Sequence, residues 1–242
     1  MDNVLLITGA SSDIGCALIM RMSSKYDYIY AHCNQSFERI ERISADVRSQ
    51  IIPVRANFND ISSVSEMVDS ILESGMIPNH IVFLASPPAI NTRFHKSRWD
   101  DFEKAINVSL RSEIIILNRL IKRIKEGKIV FMLTSYTIGV PPKYQSPYIV
   151  AKYAQLGLAR CLAAEYSSKG ICINAVSPDM IDTRFLNYVP YPIVEENAKN
   201  NPKGRNLVVD EVVPTIEFLL SDNATAISGQ NIGITWGGEL SR

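Results

Sequence analysis

The sequence predicts an α/β protein: a single doubly wound parallel sheet of about seven strands, with helices on both faces. Two observations carry this reading. Short apolar, β-branched runs at 4–8, 28–32, 51–55, 81–85, 129–133, 171–175 and 232–235 alternate with helical patterns at 14–24, 37–48, 61–73, 99–124, 147–168 and 210–220. The runs are apolar almost throughout, which marks strands buried on both faces, the condition of a parallel sheet. Right-handed helical crossovers then make a doubly wound sheet the economical topology. No repeat, low-complexity stretch or linker interrupts the pattern, so residues 1–242 are expected to form one domain.

The totals narrow the function. Of 242 residues, 46% are hydrophobic and 21% charged, and 25 basic side chains balance 25 acidic ones. This composition excludes disorder, and the lack of a basic excess argues against nucleic acid or an anionic membrane as partner. The first strand begins almost at Met1 and no apolar run is long enough to cross a bilayer, so a cytoplasmic protein without a signal peptide is expected. Cys16, Cys33, Cys161 and Cys172 lie far apart and read as free thiols; His32, His80 and His95 are equally scattered, so no metal site is expected.

The first strand ends in Thr8-Gly9-Ala10-Ser11-Ser12-Asp13-Ile14-Gly15 and is followed by a helix. Such a turn brings backbone close to a pyrophosphate and aims helix amides at it, which makes Gly9, Ser11, Ser12, Asp13, Ile14 and Gly15 candidate cofactor contacts. Asp13 would repel a phosphate if it pointed inward; the alternative is that it caps the helix and faces solvent. The second strand ends in Ala31-His32-Cys33-Asn34-Gln35-Ser36, with no acid to bond ribose hydroxyls. A 2′-phosphate therefore meets no repulsion, which favours NADP(H) over NAD(H), with Asn34 and Ser36 as contacts; Arg39 lies a turn downstream, and a plain solvated loop is the rival reading. Asn57, after the third strand, either bonds an adenine edge or shapes a turn. The fourth strand leads into Leu84-Ala85-Ser86-Pro87-Pro88, where two prolines force an extended exit past Ala85 and Ser86. Asn107, within the long fourth helical pattern, is either a satisfied core amide or part of a site.

The densest chemistry lies at 135–152. The apolar run 129–133 ends at Thr134 and Ser135, and Ser146-Pro147-Tyr148-Ile149-Val150-Ala151-Lys152 opens a helix with Ser146 as expected N-cap and Pro147 as first residue. Tyr148 then sits in the first turn and Lys152 four residues on, on the same face. A free phenol has a pKa of about 10; a neighbouring ammonium and the positive end of a helix both favour the phenolate and are expected to lower it. Ser135 would hold a substrate oxygen beside that phenol. Further on, Val176-Ser177-Pro178 ends the sixth strand, and 180–205 shows no clean period, which reads as a lid over a site. Ser228-Gly229-Gln230 and Trp236-Gly237-Gly238 frame the last strand as turns.

Together these pieces resemble the short-chain dehydrogenase/reductase family in its compact, single-domain branch. The resemblance rests on Thr8-Gly9 through Gly15, Asn107, Ser135, Tyr148-x-x-x-Lys152, the turn at 174–178 followed by Thr183, and the closing glycines, in the family's order over essentially the whole chain. It implies a Rossmann-type domain that passes hydride between nicotinamide and a carbonyl or secondary-alcohol carbon. Tyr148 would be the general acid, Ser135 would polarise the carbonyl, Lys152 would bond the nicotinamide ribose, and Asn107 would anchor a relay water. Ala85, Ser86, Pro178 and Thr183 would join the cofactor contacts. The expected substrate is a small carbonyl or alcohol, with an acyl thioester as in 3-oxoacyl-thioester reductases the leading choice. An alcohol or sugar oxidoreductase, or a non-catalytic dinucleotide-binding protein, is the alternative. The resemblance also implies a homo-oligomer, a dimer or a tetramer. The chain departs from the family pattern at Asp13, Asn57, Leu84–Pro87 and Asp179, all of them bordering the cofactor cleft.

Overall fold

The structure is a computed structural model that describes residues 3–47 and 50–238. Among these residues seven strands form one parallel sheet: β1 (Val4–Thr8), β2 (Tyr28–Cys33), β3 (Gln50–Arg55), β4 (His80–Phe83), β5 (Gly127–Met132), β6 (Ile171–Pro178) and β7 (Asn231–Ile234), in the order β3-β2-β1-β4-β5-β6-β7. The helices are α1 (Asp13–Met22), α2 (Phe37–Ser44), α3 (Ile61–Glu73), α4 (Trp99–Ile106), α5 (Ser112–Leu120), α6 (Ser146–Tyr166), α7 (Tyr191–Asn200) and α8 (Val209–Leu220). All seven expected strands are present, and β6 runs on to Pro178.

Alternation along each strand feeds two cores. Val4 and Leu6 of β1 point to one face and pack in a cluster with Val68, Ile116 and Leu156, whereas Leu5 and Ile7 point to the other with Leu18, Ile40 and Ile216. Every one of these side chains is 5% exposed or less, and each contributes ~1.5–3 kcal/mol by leaving water. A one-residue slip of register would exchange the two faces but leave both apolar, so register is held by backbone pairing such as Val4 with Tyr28 and Leu5 with His80. The order reverses between β1 and β4, and that split opens a crevice at the carboxyl ends of the two strands.

Three helices differ from expectation. The pattern at 37–48 forms α2 only to Ser44, and Arg48 lies outside the described residues. The single helix expected at 99–124 is α4 and α5 joined by a π turn at Asn107–Arg111, where the Ser112 amide donates to the Asn107 carbonyl, and it ends in a 3₁₀ turn at Ile121–Arg123. The extra residue re-aims the helix beside the sheet. Within 180–205, a 3₁₀ turn at Arg184–Tyr188 and α7 replace the expected irregular loop. Prolines at 190 and 192 set the helix start, and a polar pair holds the helix: Asn197 Nδ2 donates to Asn206 Oδ1 at 3.0 Å. Helix α7 buries Asn197 and no apolar residue, so no hydrophobic period could reveal it.

Two histidines in the sheet are held as neutral rings, His32 buried and His80 partly buried. His32 accepts from the Gly9 amide at Nδ1 (3.1 Å), bonds the Ala56 carbonyl through Nε2 (3.1 Å) and stacks on Phe58 at 4.0 Å. His80 Nδ1 and the Tyr26 hydroxyl share a hydrogen bond of 2.5 Å. Burial pushes each imidazole down to about 4 from 6.5. The unfolded chain therefore takes up protons before the folded one does, and stability falls as pH drops through the window from 6.5 to 4. Urea titrations at pH 7 and pH 5 should show a loss of a few kcal/mol at the lower pH, and His80→Asn should flatten that dependence.

Candidate active site

The crevice is built around the turn after β1. Thr8 Oγ1 accepts from the amides of Leu84 and Ala85 at 3.1 and 3.3 Å, which clasps the ends of β1 and β4. Gly9 has φ +66°, and a Cβ there would lie 2.9 Å from the Ala85 nitrogen; at Gly15 a Cβ would lie 2.5 Å from the Ala10 carbonyl oxygen. Both positions require glycine for close backbone approach. Ser12 caps α1 by accepting from the Gly15 amide at 3.0 Å.

Asp13 is therefore neither the cap nor a solvated side chain, contrary to the expectation from sequence. Its carboxylate accepts from Arg39 Nη2 at 2.8 Å, Arg184 Nε at 3.0 Å and the Arg184 amide at 2.8 Å. Both arginines also donate to the Ser11 carbonyl, at 2.5 and 3.0 Å. The acid that would repel a phosphate is thus neutralised by two cations, one of them from the 180–205 segment.

Next to this turn lies a cavity of about 510 Å³, whose wall includes Gly9, Ser11, Ser12, Asn34, Ser36, Asn57, Ala85 and Ser86, with Lys104 and Arg184 as its cations. Among the described residues no carboxylate lines it. Asn57 uses its side-chain oxygen on the Asn59 amide at 3.1 Å, an Asx turn, while its residue still borders the cavity.

A second cavity, of about 170 Å³, shares Ser12, Leu84, Ser86 and Phe185 with the first. Its wall contains Tyr148, Lys152, Ile14 and Pro178, joined by Thr134, Tyr136, Gln145 and Asp179 in a lining that is apolar apart from these polar groups, Ser12 and Ser86. Helix α6 starts at Ser146 with Gln145 before it, one residue earlier than the expected cap, so Tyr148 falls within the first turn. Lys152 Nζ lies 5.6 Å from the Tyr148 ring centre and donates to the Met132 carbonyl at the end of β5, at 2.7 Å.

The remaining candidates lie outside both linings. Ser135 is buried and its hydroxyl donates to Asp179 Oδ1 at 3.3 Å, while Asn201 Nδ2 donates to the other carboxylate oxygen at 3.3 Å. Asn107 ends α4 with its carbonyl committed to the π turn. Thr183 Oγ1 donates to the Ile181 carbonyl at 3.3 Å, and Asp13 and Gly15 support the first turn from behind.

Burial reverses one electrostatic expectation. Desolvation holds the Tyr148 phenol above the usual tyrosine range; a side-chain hydrogen bond from Thr134 lowers it and Tyr136 raises it. In the protein alone, removal from water outweighs the ammonium and the helix end. The same burial pushes Lys152 down to about 8, with Glu113 acting against it. Sequence reasoning gave no role to Asp179, Thr134, Tyr136 or Glu113. Asp179 carried a signal as the polar replacement after Pro178, whereas the others sit in patterns that read as strand end or amphipathic helix.

The family profile described as enoyl-(acyl carrier protein) reductase matches residues 9–238. The chain is 29% identical over 245 residues to a 3-oxoacyl-[acyl-carrier-protein] reductase of Aggregatibacter actinomycetemcomitans, covering 98% of this chain and 99% of that one. It is 28% identical over 243 residues to an acetoacetyl-CoA reductase of Rhizobium meliloti, covering 98% of each. The crystal structure of levodione reductase superimposes with a TM-score of 0.89 at 25% identity, covering 100% of this chain and 99% of the other. With the sheet order, the glycine turn and the Tyr148–Lys152 helix face, these matches place the chain in the short-chain dehydrogenase/reductase family of NAD(P)-dependent oxidoreductases.

Proposed function

We propose that residues 1–242 act as one dinucleotide-binding domain that reduces a carbonyl substrate with NADPH, the segment 180–205 forming a lid. The observation that carries this reading is the placement of Tyr148 and Lys152 in the wall of a small, mostly apolar cavity that adjoins the larger crevice beside the glycine turn. The crevice suits a dinucleotide: it is lined by backbone-accessible turn residues, two cations and no carboxylate. Gly9, Ser11, Ser12 and Ile14 would border the pyrophosphate on the turn that Gly15 supports from behind, Asn57, Ala85 and Ser86 the adenine side, and Pro178 the nicotinamide side, with Thr183 in the segment that follows it. Asn34 and Ser36, with no acid at the end of β2, support a 2′-phosphate and hence NADPH over NADH. The bound cofactor supplies the hydride.

The chain's own groups manage the oxygen. A phenol held above the usual range stays protonated at neutral pH, which suits Tyr148 to donate its proton as an alkoxide develops. Ser135 would bond the same oxygen when its hydroxyl turns from Asp179, a weak 3.3 Å contact, toward the cavity. Lys152, anchored on the Met132 carbonyl, would face the ribose hydroxyls and oppose the phenol's charge. Asn107 would hold a water behind Lys152, its carbonyl drawn into place by the π turn. These donors act where negative charge develops, so they stabilise the transition state preferentially.

A 3-oxoacyl thioester is the substrate class favoured by the named relatives and by the apolar side of the small cavity, formed by Leu84, Met132, Met180, Ile181, Phe185 and Leu186. Asp179 in the same wall favours the second reading, an alcohol or sugar substrate with hydroxyl donors. The exposed Trp99, Val150 and Tyr153 on α4 and α6 support a homo-oligomer, a dimer or tetramer formed through these helices. No described helix is long and apolar enough to cross a membrane, which agrees with a cytoplasmic enzyme.

Three outcomes test this reading. Tyr148→Phe should lower turnover of 3-oxoacyl thioesters and simple ketones by at least about 10²-fold while leaving NADPH affinity unchanged; binding without turnover on any substrate by the unmodified protein would favour a non-catalytic role. Because Lys152 loses its charge as pH rises through about 8, the rate of carbonyl reduction should fall above that pH, measured as kcat/KM from pH 6 to 10. Arg184→Ala should release the 180–205 segment from Asp13 and weaken NADPH binding by roughly tenfold, ~1.4 kcal/mol, read by nicotinamide fluorescence.

A further inference from the structure

Glu113 is a buried acid that the scheme above does not use. It lies in the first turn of α5, 2% exposed, and lines neither cavity. Gln155, fully buried on α6, donates from Nε2 to Glu113 Oε1 at 2.6 Å. Gln155 is three residues after Lys152, one turn along the same helix face, so the carboxyl it holds is presented to the lysine. The other carboxyl oxygen, Oε2, and the amide oxygen of Gln155 are buried without a hydrogen-bonding partner in the protein. A buried acceptor left alone is expensive, and a nearby cation offsets that cost.

Among the described residues, the cation whose charge acts on Glu113 is Lys152. From α6 comes Lys152, with Tyr148 beyond it; β5 contributes only the Met132 carbonyl. On the other side of α5, Asp69 of α3 is paired with Arg119, and Arg111 donates to the carbonyls of Phe58 and Asn59. Burial holds the Glu113 carboxyl well above the usual carboxylate range, with the lysine and the Gln155 hydrogen bond drawing it part of the way back down, while burial pushes Lys152 down to about 8 and the acid draws it part of the way back up.

We propose that Glu113, held by Gln155, is a positioning residue for Lys152, whose carboxylate keeps the buried ammonium charged at pH values where burial alone would discharge it. The proposal rests on Lys152 working beside Tyr148 as described above, and it extends that pair to a second layer behind the cavity. Its consequence is a working pH range set by a residue that touches neither substrate nor cofactor.

Glu113→Gln keeps the shape and the bond to Gln155 but removes the charge. In the cofactor-free protein, the Lys152 Cε resonance of lysine-labelled samples, assigned with Lys152→Arg, should titrate about one pH unit lower in Glu113→Gln than in the unmodified chain. The alkaline fall of carbonyl reduction should move down by the same amount. Gln155→Leu, which strips the carboxyl of its donor, should shift both in the same direction and serves if the first variant fails to fold. An unchanged Lys152 midpoint, or a rate loss uniform across pH, would overturn the proposal. A shifted Lys152 midpoint in an enzyme whose turnover survives Tyr148→Phe would uphold the coupling and reject the reading of the reactive pair instead.

Discussion

Much of the site depends on a lysine kept charged inside the protein. Lys152 is 2% exposed, and an ammonium removed from water is sustained only where other groups replace its solvation. The Met132 carbonyl does so at 2.7 Å, which ties α6 to the end of β5. Glu113 does so through space from α5. The position of Lys152 in turn fixes the helix face that carries Tyr148, four residues earlier in the first turn of α6. Sheet, helix start and the Tyr148 phenol are therefore coupled through one cation. A change at Met132, α5 or α6 that disturbs the lysine will be felt at the phenol.

The cofactor side is organised by a second electrostatic arrangement, of opposite sign. Asp13 stands where an acid would repel a phosphate, yet two arginines cover it, and both also reach the Ser11 carbonyl. The net result is a turn that carries positive charge toward the crevice. Because Arg184 comes from the proposed lid, the same contacts join that segment to the glycine turn. An isolated exposed ion pair is worth little, but Asp13 is largely shielded and receives three donors, including a backbone amide. Charge neutralisation and lid position thus follow from one carboxylate.

The elements that the sequence made legible are those encoded by local pattern. Seven apolar runs gave the strands, the Gly9–Gly15 turn gave the crevice, and the Tyr148–Lys152 spacing gave the shared helix face. What escaped depends on distant or three-dimensional facts. Asp13 looked like a cap because its partner Arg184 lies 171 residues away. Helix α7 was invisible because polar contacts and prolines hold it, with no apolar stripe. The π turn at Asn107–Arg111 inserts one residue without altering the hydrophobic pattern at a readable level. The raised pKa of Tyr148 follows from burial, which spacing cannot report. Glu113 carries no signal in the local pattern, because its burial against Gln155 of α6 exists only in three dimensions.

On the proposed function, the crevice beside Gly9 holds a nicotinamide dinucleotide despite the departures at Asp13, Asn57, Leu84–Pro87 and Asp179. The most direct test is a fluorescence titration of the purified protein with NADPH and, separately, with NADH. Saturable binding in the micromolar range, tighter for NADPH, is the expected result. A folded protein that binds neither would contradict it.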